Sequence, residues 1–200
     1  FNEEILSFGF KVKQKHYFNF SLTEKAFMRF SYPKDLMEFV YRGNGALLDQ
    51  DVMIGNLRFN AAHYREYSFG YSMDYDDKWN FGARAKLLFG KMNINTARTD
   101  ISFYTESEFF DITVTSDALV NMCIPYELTD TLDETELDAK EYLMNKKNFG
   151  LGFDFGATYK YTDKWTFGLS VIDLGFIKWK DEDDVINLVS HNPGGSFTYD

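Results

Sequence analysis

Arg58, Glu66, Arg84, Lys86, Asp154 and Lys160 are charged residues that fall in phase with small or polar neighbours. Arg84 and Lys86 alternate with Asn80 and Gly82, Glu66 with Ser68, and Asp154 with Gly152 and Gly156. Charges at every second position beside side chains of little bulk do one of two things. They line a wet passage, or they pair across an interior and hold it, because a charge removed from water must be solvated or paired. Neither is bond-making chemistry. No nucleophile elbow, phosphate loop or dinucleotide-binding glycine pattern occurs. His16, His63 and His191 have no metal-ligand spacing and are expected to be structural. The lone Cys123 reads as a small buried hydrophobe. Carboxylates crowd only in Glu127 to Glu141 and Asp181 to Asp184, without the spacing of a calcium loop, and read as solvated loops. The expectation is a non-enzymatic chain with no cofactor and no metal.

The elements that must position these residues are β-strands. From Phe149 the odd positions are Phe149, Leu151, Phe153, Phe155, Ala157, Tyr159 and Tyr161, and the even ones are Gly150, Gly152, Asp154, Gly156, Thr158 and Lys160. That is alternation at period two, one greasy face and one small or polar face. A turn at Thr162-Asp163-Lys164 leads to Trp165, Phe167, Leu169 and Val171 on the greasy face, so the two runs form a hairpin. The spacing Phe69-Gly70, Tyr75, Asp77-Lys78-Trp79, Phe81-Gly82 repeats as Phe155-Gly156, Tyr161, Asp163-Lys164-Trp165, Phe167-Gly168, with a looser copy from Phe8-Gly9 to Phe20. One hairpin design is therefore reused.

In chain order, Ile5 to Lys13 and Phe18 to Phe30 form the first pair around Gln14-Lys15-His16, with Glu24 interrupting the greasy set. Pro33 opens a short helix, with Leu36, Met37 and Val40 on one face, and Gly43-Asn44-Gly45 ends it. A long third strand runs from Asn56 to Tyr75. His63 and Arg65 spoil its greasy face, marking a bulge or the level at which the strand leaves a membrane. After Asp76-Asp77-Lys78 the fourth strand places Trp79, Phe81, Ala83, Ala85 and Leu87 on the greasy face. From Lys91 the pattern turns polar, with a further hairpin at Asp100 to Tyr104 and Phe110 to Thr115. Asp133 and Glu136 can cap a helix reaching about Asn145. The phase slips at Val171-Ile172-Asp173, which predicts a bulge. Asn192-Pro193-Gly194-Gly195 reads as a turn, with a seventh strand starting at Ser196.

Turns alternate in length, about three residues after strands one, three and five and tens of residues after strands two, four and six. Outer-membrane barrels have short periplasmic turns and long extracellular loops. The 200 residues are 18% aromatic, and no apolar run approaches the roughly 18 residues of a membrane helix. Barrel strands need only alternate apolar residues, so the mean hydropathy of -0.36 fits them. Tyr75, Trp79, Tyr161 and Trp165 beside the short turns are expected to form one membrane girdle, and Trp179 to mark the opposite one. The six charged residues above then face the lumen. The net charge of -10 disfavours nucleic acid as a partner. The partners expected are outer-membrane lipid and other outer-membrane proteins.

The fold expected is all-β, an antiparallel transmembrane β-barrel. Six strands and a beginning fall short of the barrel minimum of about eight. The chain is therefore expected to be one barrel domain, residues 1–200, incomplete at both ends. Extracellular insertions are expected at about 32–56, 91–147 and 181–195.

Several segments carry a family resemblance: 148–160, Asp163 to Gly168, Asp173 to Trp179, Tyr64-Arg65-Glu66-Tyr67, Gly82 to Gly90 and Phe30-Ser31-Tyr32-Pro33. Together they resemble Bacteroidota outer-membrane barrels of unassigned function, over essentially the whole chain. More distantly the architecture is similar to long-chain fatty-acid transporter barrels and to barrel subunits of the type IX secretion system. The resemblance implies an outer-membrane location and no agreed activity. Two functions follow as expectations. One is passage of small hydrophobic or amphipathic molecules, with Gly150, Gly152, Gly156 and Gly168 leaving lumen space. The alternative is a scaffold or partner subunit in a secretion or surface-attachment assembly. A soluble sandwich is disfavoured, because its core would not need this turn asymmetry.

Overall fold

The computed structural model describes residues 1–124, 139–180 and 185–197. Nine strands and two α-helices occur there: β1 (Asn2–Val12), β2 (His16–Ser31), α1 (Lys34–Arg42), β3 (Asp51–Met53), β4 (Arg58–Asp74), β5 (Trp79–Thr105), β6 (Ile112–Cys123), α2 (Ala139–Met144), β7 (Asn148–Thr162), β8 (Trp165–Ile177) and β9 (Val185–Phe197). The chain is all-β and every registered strand pair is antiparallel. It divides into two units. The acidic run 127–138, the helix cap at Asp133 and Glu136, and Asp181 to Asp184 lie outside the described residues.

The first unit comprises Phe1–Phe27, His63–Lys91 and Pro125–Glu182. Its strands follow the order β1-β2-β4-β5-β7-β8, a meander of three tight hairpins whose edges are β1 and β8. The sheet is therefore not closed among the described residues. Leu6 faces Leu22, Phe8 faces Phe20 and Phe10 faces Phe18, as alternation predicts. Rings then meet across three strands: Phe8 to Phe20 at 5.3 Å, Phe20 to Phe69 at 5.0 Å and Phe18 to Tyr71 at 5.0 Å. Such cross-strand aromatic pairs stabilise a sheet by a few tenths to about 1 kcal/mol each.

The short turns have local chemical causes. Lys13 and Gln14 take positive φ (48° and 59°), the twist a two-strand connection needs. The Asp76 carboxylate accepts the backbone N–H groups of Lys78 (2.8 Å) and Trp79 (2.7 Å). In the third turn Thr162 Oγ1 accepts from Lys164 N. The first two turns also bind sideways, Asp74 N–H donating to Lys15 C=O and Lys160 N–H to Lys78 C=O. The two backbone donors hold the Asp76 carboxyl below its ordinary value, and the Lys160 ammonium does the same for Asp163. A carboxyl with a depressed folded value adds stability above its unfolded value and loses it as pH falls through the folded one. Wild type is therefore expected to outlast Asp76→Ala in thermal unfolding at neutral pH, with the gap closing in strong acid. An unchanged gap at pH 2 would contradict this.

The expected phase slip in β8 is a bulge. Phe153 pairs Leu174 and Phe155 pairs Val171, so Ile172 and Asp173 together oppose Asp154. Asp173 has φ 57°, a left-handed value tolerated by a short polar residue. Beyond the bulge, parity inverts.

The second unit comprises Met28–Ala62, Met92–Ile124 and Asp183–Asp200. Here the structure departs from several expectations. The fourth strand does not end near Leu87, because β5 continues to Thr105 and pairs β6 from Asn93 to Thr105. Polar residues extend it by pairing with one another: Ser102 with Thr115 at 2.5 Å, Arg98 with Asp117 at 2.7 Å. The expected hairpin of Asp100 to Tyr104 with Phe110 to Thr115 is present, Ser102 opposite Thr115 and Tyr104 opposite Thr113, as the end of this longer ladder. Asn192 to Gly195 is not a turn. It lies within β9, and Pro193 and Gly194 fall at a bulge opposite Thr115, where proline's missing N–H costs no ladder bond. β3 pairs β5 through Val52 and Phe103, which the pattern did not reveal. Helix α1 begins after Pro33 and stops at Gly43, whose φ of 72° suits glycine and whose N–H caps Phe39 C=O at 2.9 Å.

Candidate functional site

The polar face of the first unit carries an ion-pair belt. Strand register places Arg84 opposite Asp154 and Lys86 opposite Gly152. Lys86, with only 4% of its side chain exposed, holds Asp154 Oδ1 and Asp173 Oδ1, each at 2.6 Å. Asp173 N–H also donates to Asp154 Oδ1 at 2.8 Å. The bulge thus turns toward the polar face an acid that simple alternation would aim the other way. One strand over, Lys25 donates to the buried Glu66 at 2.7 Å, and Ser21 meets Ser68 at 2.6 Å. Lys86, Glu66 and Asp154 are largely buried and each is paired, whereas Asp173 reaches the pair from an exposed position.

On the short-turn side of the Lys86–Asp154 pair is a hollow of about 700 Å³. Gly70, Gly82, Gly156 and Gly168 form its floor, and Ser72, Thr158 and Ser170 contribute hydroxyls. A Cβ built on Gly82, Gly156 or Gly168 would meet nothing closer than 3.6 Å, so the space exists because the side chains are absent. A smaller cavity of about 180 Å³ is lined by Tyr64, Glu66, Lys86, Leu88, Asp173 and Ile177.

Of the six charged residues expected to share a lining, four lie in this belt or beside it: Glu66, Arg84, Lys86 and Asp154. Lys160 instead pairs with Asp163 at the short turn, at 2.9 Å. Arg58 belongs to the second unit, is exposed, and makes no ion pair among the described residues. Tyr75, Trp79, Tyr161 and Trp165 are exposed beside the turns, at 64%, 39%, 61% and 63%. Trp79 stacks on Phe81 at 5.6 Å and packs on Tyr159 at 4.6 Å. Trp179 does not share their face. A Cβ on Gly90 would come within 2.5 Å of its ring, and Gly90 is in phase with Lys86 and Leu88. Fourteen residues is an even interval from Trp165, but the one-residue bulge makes it odd in phase, so Trp179 lies over the polar side.

A second cluster sits on the opposite, greasy face. Glu24 accepts from Lys91 Nζ at 3.0 Å and pairs with Arg65, and His63 Nε2 is 3.3 Å from its other oxygen. Lys91 is 1% exposed. Helix α2 covers the group, with Tyr142 OH bonded to His63 Nδ1 (2.5 Å) and Leu143 C=O accepting from Lys91 (2.8 Å). Glu24, His63 and Arg65 are visible in the sequence as polar residues in an apolar phase. Their union with Lys91 across β2, β4 and β5 needs the register.

Neither the curated proteins nor the solved structures provide a match to this chain. One family model covers residues 1–200, and by it the chain belongs to DUF5723, a family of unknown function.

Proposed function

We propose that the chain is wall of an antiparallel outer-membrane β-barrel, of the Bacteroidota kind its segments resemble, and that the barrel passes small hydrophobic or amphipathic molecules. The observation that carries this reading is the division of the first unit into two unlike faces. One face exposes Phe8, Phe10, Phe69, Phe155, Phe167 and Leu169 at 51% to 79%, with nothing packed over them among the described residues. A water-soluble monomer rarely shows a contiguous apolar patch beyond a few hundred Å². The other face holds the ion-pair belt and the glycine-floored hollow.

The height of the apolar band supports the same reading. Twelve residue steps separate Trp79 from Lys91 along β5. At about 3.3 Å per residue and a tilt of about 40°, that is roughly 30 Å, close to the apolar band of an outer-membrane barrel. Charged residues reappear on the greasy face at that limit, in the Glu24–Lys91 cluster. The open edges β1 and β8 require strand partners in lipid, since unpaired backbone groups are not tolerated there.

The closed barrel of which this chain is wall, folded in planar bilayers, is expected to conduct above background. Gly82→Val and Gly156→Val should lower single-channel conductance severalfold without loss of folding, because they fill the hollow at ordinary contact distance. Conductance indistinguishable from protein-free bilayers would remove the conduit reading. A second reading, partner subunit in a larger outer-membrane assembly, is favoured by helix α1. It packs Phe39 on Phe103 at 5.3 Å but leaves Met37, Val40 and Tyr41 exposed at 51%, 70% and 91%. A non-conducting barrel crosslinked through position 41 to a neighbouring outer-membrane protein would select it.

A further inference from the structure

We infer that Arg84 is the recognition residue for an oxyanionic head group, a carboxylate or a phosphate monoester, on the molecule that enters the hollow. The inference rests on the conduit reading and names the chemistry of its cargo. Three cations stand on the polar face near the belt, and two are saturated. Lys86 is buried between two carboxylates at 2.6 Å, and Lys25 is spent on Glu66 at 2.7 Å. Arg84 differs. Its side chain is 41% exposed, it borders the 700 Å³ hollow, and its nearest acid, Asp154 Oδ2, is 3.9 Å from Nη1. Among the described residues no acceptor hydrogen-bonds its guanidinium. Its guanidinium, a planar fork of N–H donors, thus borders the hollow, attracted to Asp154 but not hydrogen-bonded to it.

Asp154 is hydrogen-bonded by the Lys86 ammonium and the Asp173 N–H, and the charges of Arg84, Lys86, Asp154 and Asp173 sum to zero, so the cluster as a whole sets no net negative charge against an incoming anion. The remaining lining suits an oxyanion as well. Ser72, Thr158 and Ser170 are hydroxyl donors around the same space, and the glycine floor at Gly82 and Gly156 admits close approach. A guanidinium binds two oxygens of one carboxylate or phosphate side by side, a geometry an ammonium cannot reproduce. Arginine at this position is thus a selective choice, not a generic positive charge.

The test is calorimetric titration of the full chain, folded in a neutral detergent, with octanoate, octyl phosphate and octanol. Wild type is expected to bind octanoate or octyl phosphate and not octanol, and the tighter of the two anions identifies the head group. Arg84→Gln should weaken that binding roughly tenfold or more, and Arg84→Lys should restore only part of it. Arg84 makes no hydrogen bond to the protein, so heat-modifiable gel mobility should be unchanged in both variants, which separates loss of a site from loss of the fold. Equal anion binding by wild type and Arg84→Gln would overturn the inference, as would octanol binding as tightly as octanoate. Bilayer conductance of the wild type is read separately. Conductance with Arg84-independent anion binding sinks the site and leaves the conduit, whereas Arg84-dependent binding without conductance keeps the site and removes the conduit.

Discussion

Gly175→Ala is expected to destabilise the β7–β8 hairpin by about 2–3 kcal/mol, and Gly150→Ala by a similar amount. A Cβ on Gly175 would overlap the Leu151 carbonyl oxygen and come within 2.7 Å of Gly152 Cα. One on Gly150 would overlap the Phe176 carbonyl oxygen and lie 2.8 Å from Ile177 Cα. The obstacles are backbone atoms of the paired strand, which cannot rotate aside. The close approach lies just beyond the bulge at Ile172 and Asp173, where glycine faces glycine, Gly152 opposite Gly175. Gly82→Ala supplies the control. Its new Cβ would sit 3.7 Å from Ser72 Cβ, an ordinary contact, so stability should hold or rise by about 0.5 kcal/mol. Unfolding midpoints in neutral detergent, followed by tryptophan fluorescence, check the pair. Equal midpoints for Gly175→Ala and Gly82→Ala would mean that β7 and β8 are not so closely joined.

The second large effect concerns the covered cluster on the greasy face. Glu24→Leu removes the one carboxylate that Lys91, Arg65 and His63 share, and leaves a lysine with 1% exposure facing no acid among the described residues. Breaking a buried ion pair from one side costs about 3–5 kcal/mol. Adding Lys91→Met to Glu24→Leu should return part of that loss, since the uncompensated charge goes with it. The single and double variants form a cycle whose coupling is expected to exceed 1 kcal/mol, the size typical of residues in direct contact. Helix α2 provides a local readout. Tyr142 and Leu143 reach the sheet through this cluster, so limited proteolysis near Met144 should accelerate in Glu24→Leu and slow again in the double variant. Additive losses with no change in cleavage would show that the helix is held by something else.

How much of this could be read from residue order depends on whether the cause is local. The hairpin from Asn148 to Ile177 was legible because alternation and the turn at Asp163 are properties of neighbouring residues. The common face of Arg84, Lys86 and Asp154 follows from the same alternation. The bulge was visible as a phase slip. Which residue it would redirect was not, because the left-handed φ of Asp173 and its reach to Lys86 depend on the partner strand. Trp179 was misplaced for the same reason, one added residue between it and Trp165. The length of β5 beyond Lys91 escaped notice because a polar strand paired through Ser102 and Thr115 carries no apolar period. Glu24, His63 and Arg65 are each legible as a polar residue in a greasy phase, and Lys91 as the point where the pattern turns polar. Their assembly is set by strand register and by α2, which single-strand patterns do not contain.

Lipid contact by the aromatic face is the central claim, and the three tryptophans of the chain test it directly. Trp79 and Trp165 lie on the greasy side and Trp179 over the polar side, against Gly90. Three variants, each retaining one tryptophan and phenylalanine at the other two positions, would be folded into vesicles whose acyl chains carry bromine. The account predicts strong quenching of Trp79 and Trp165 and weak quenching of Trp179. Equal quenching of all three, or protein that stays in solution without lipid or detergent, would contradict it.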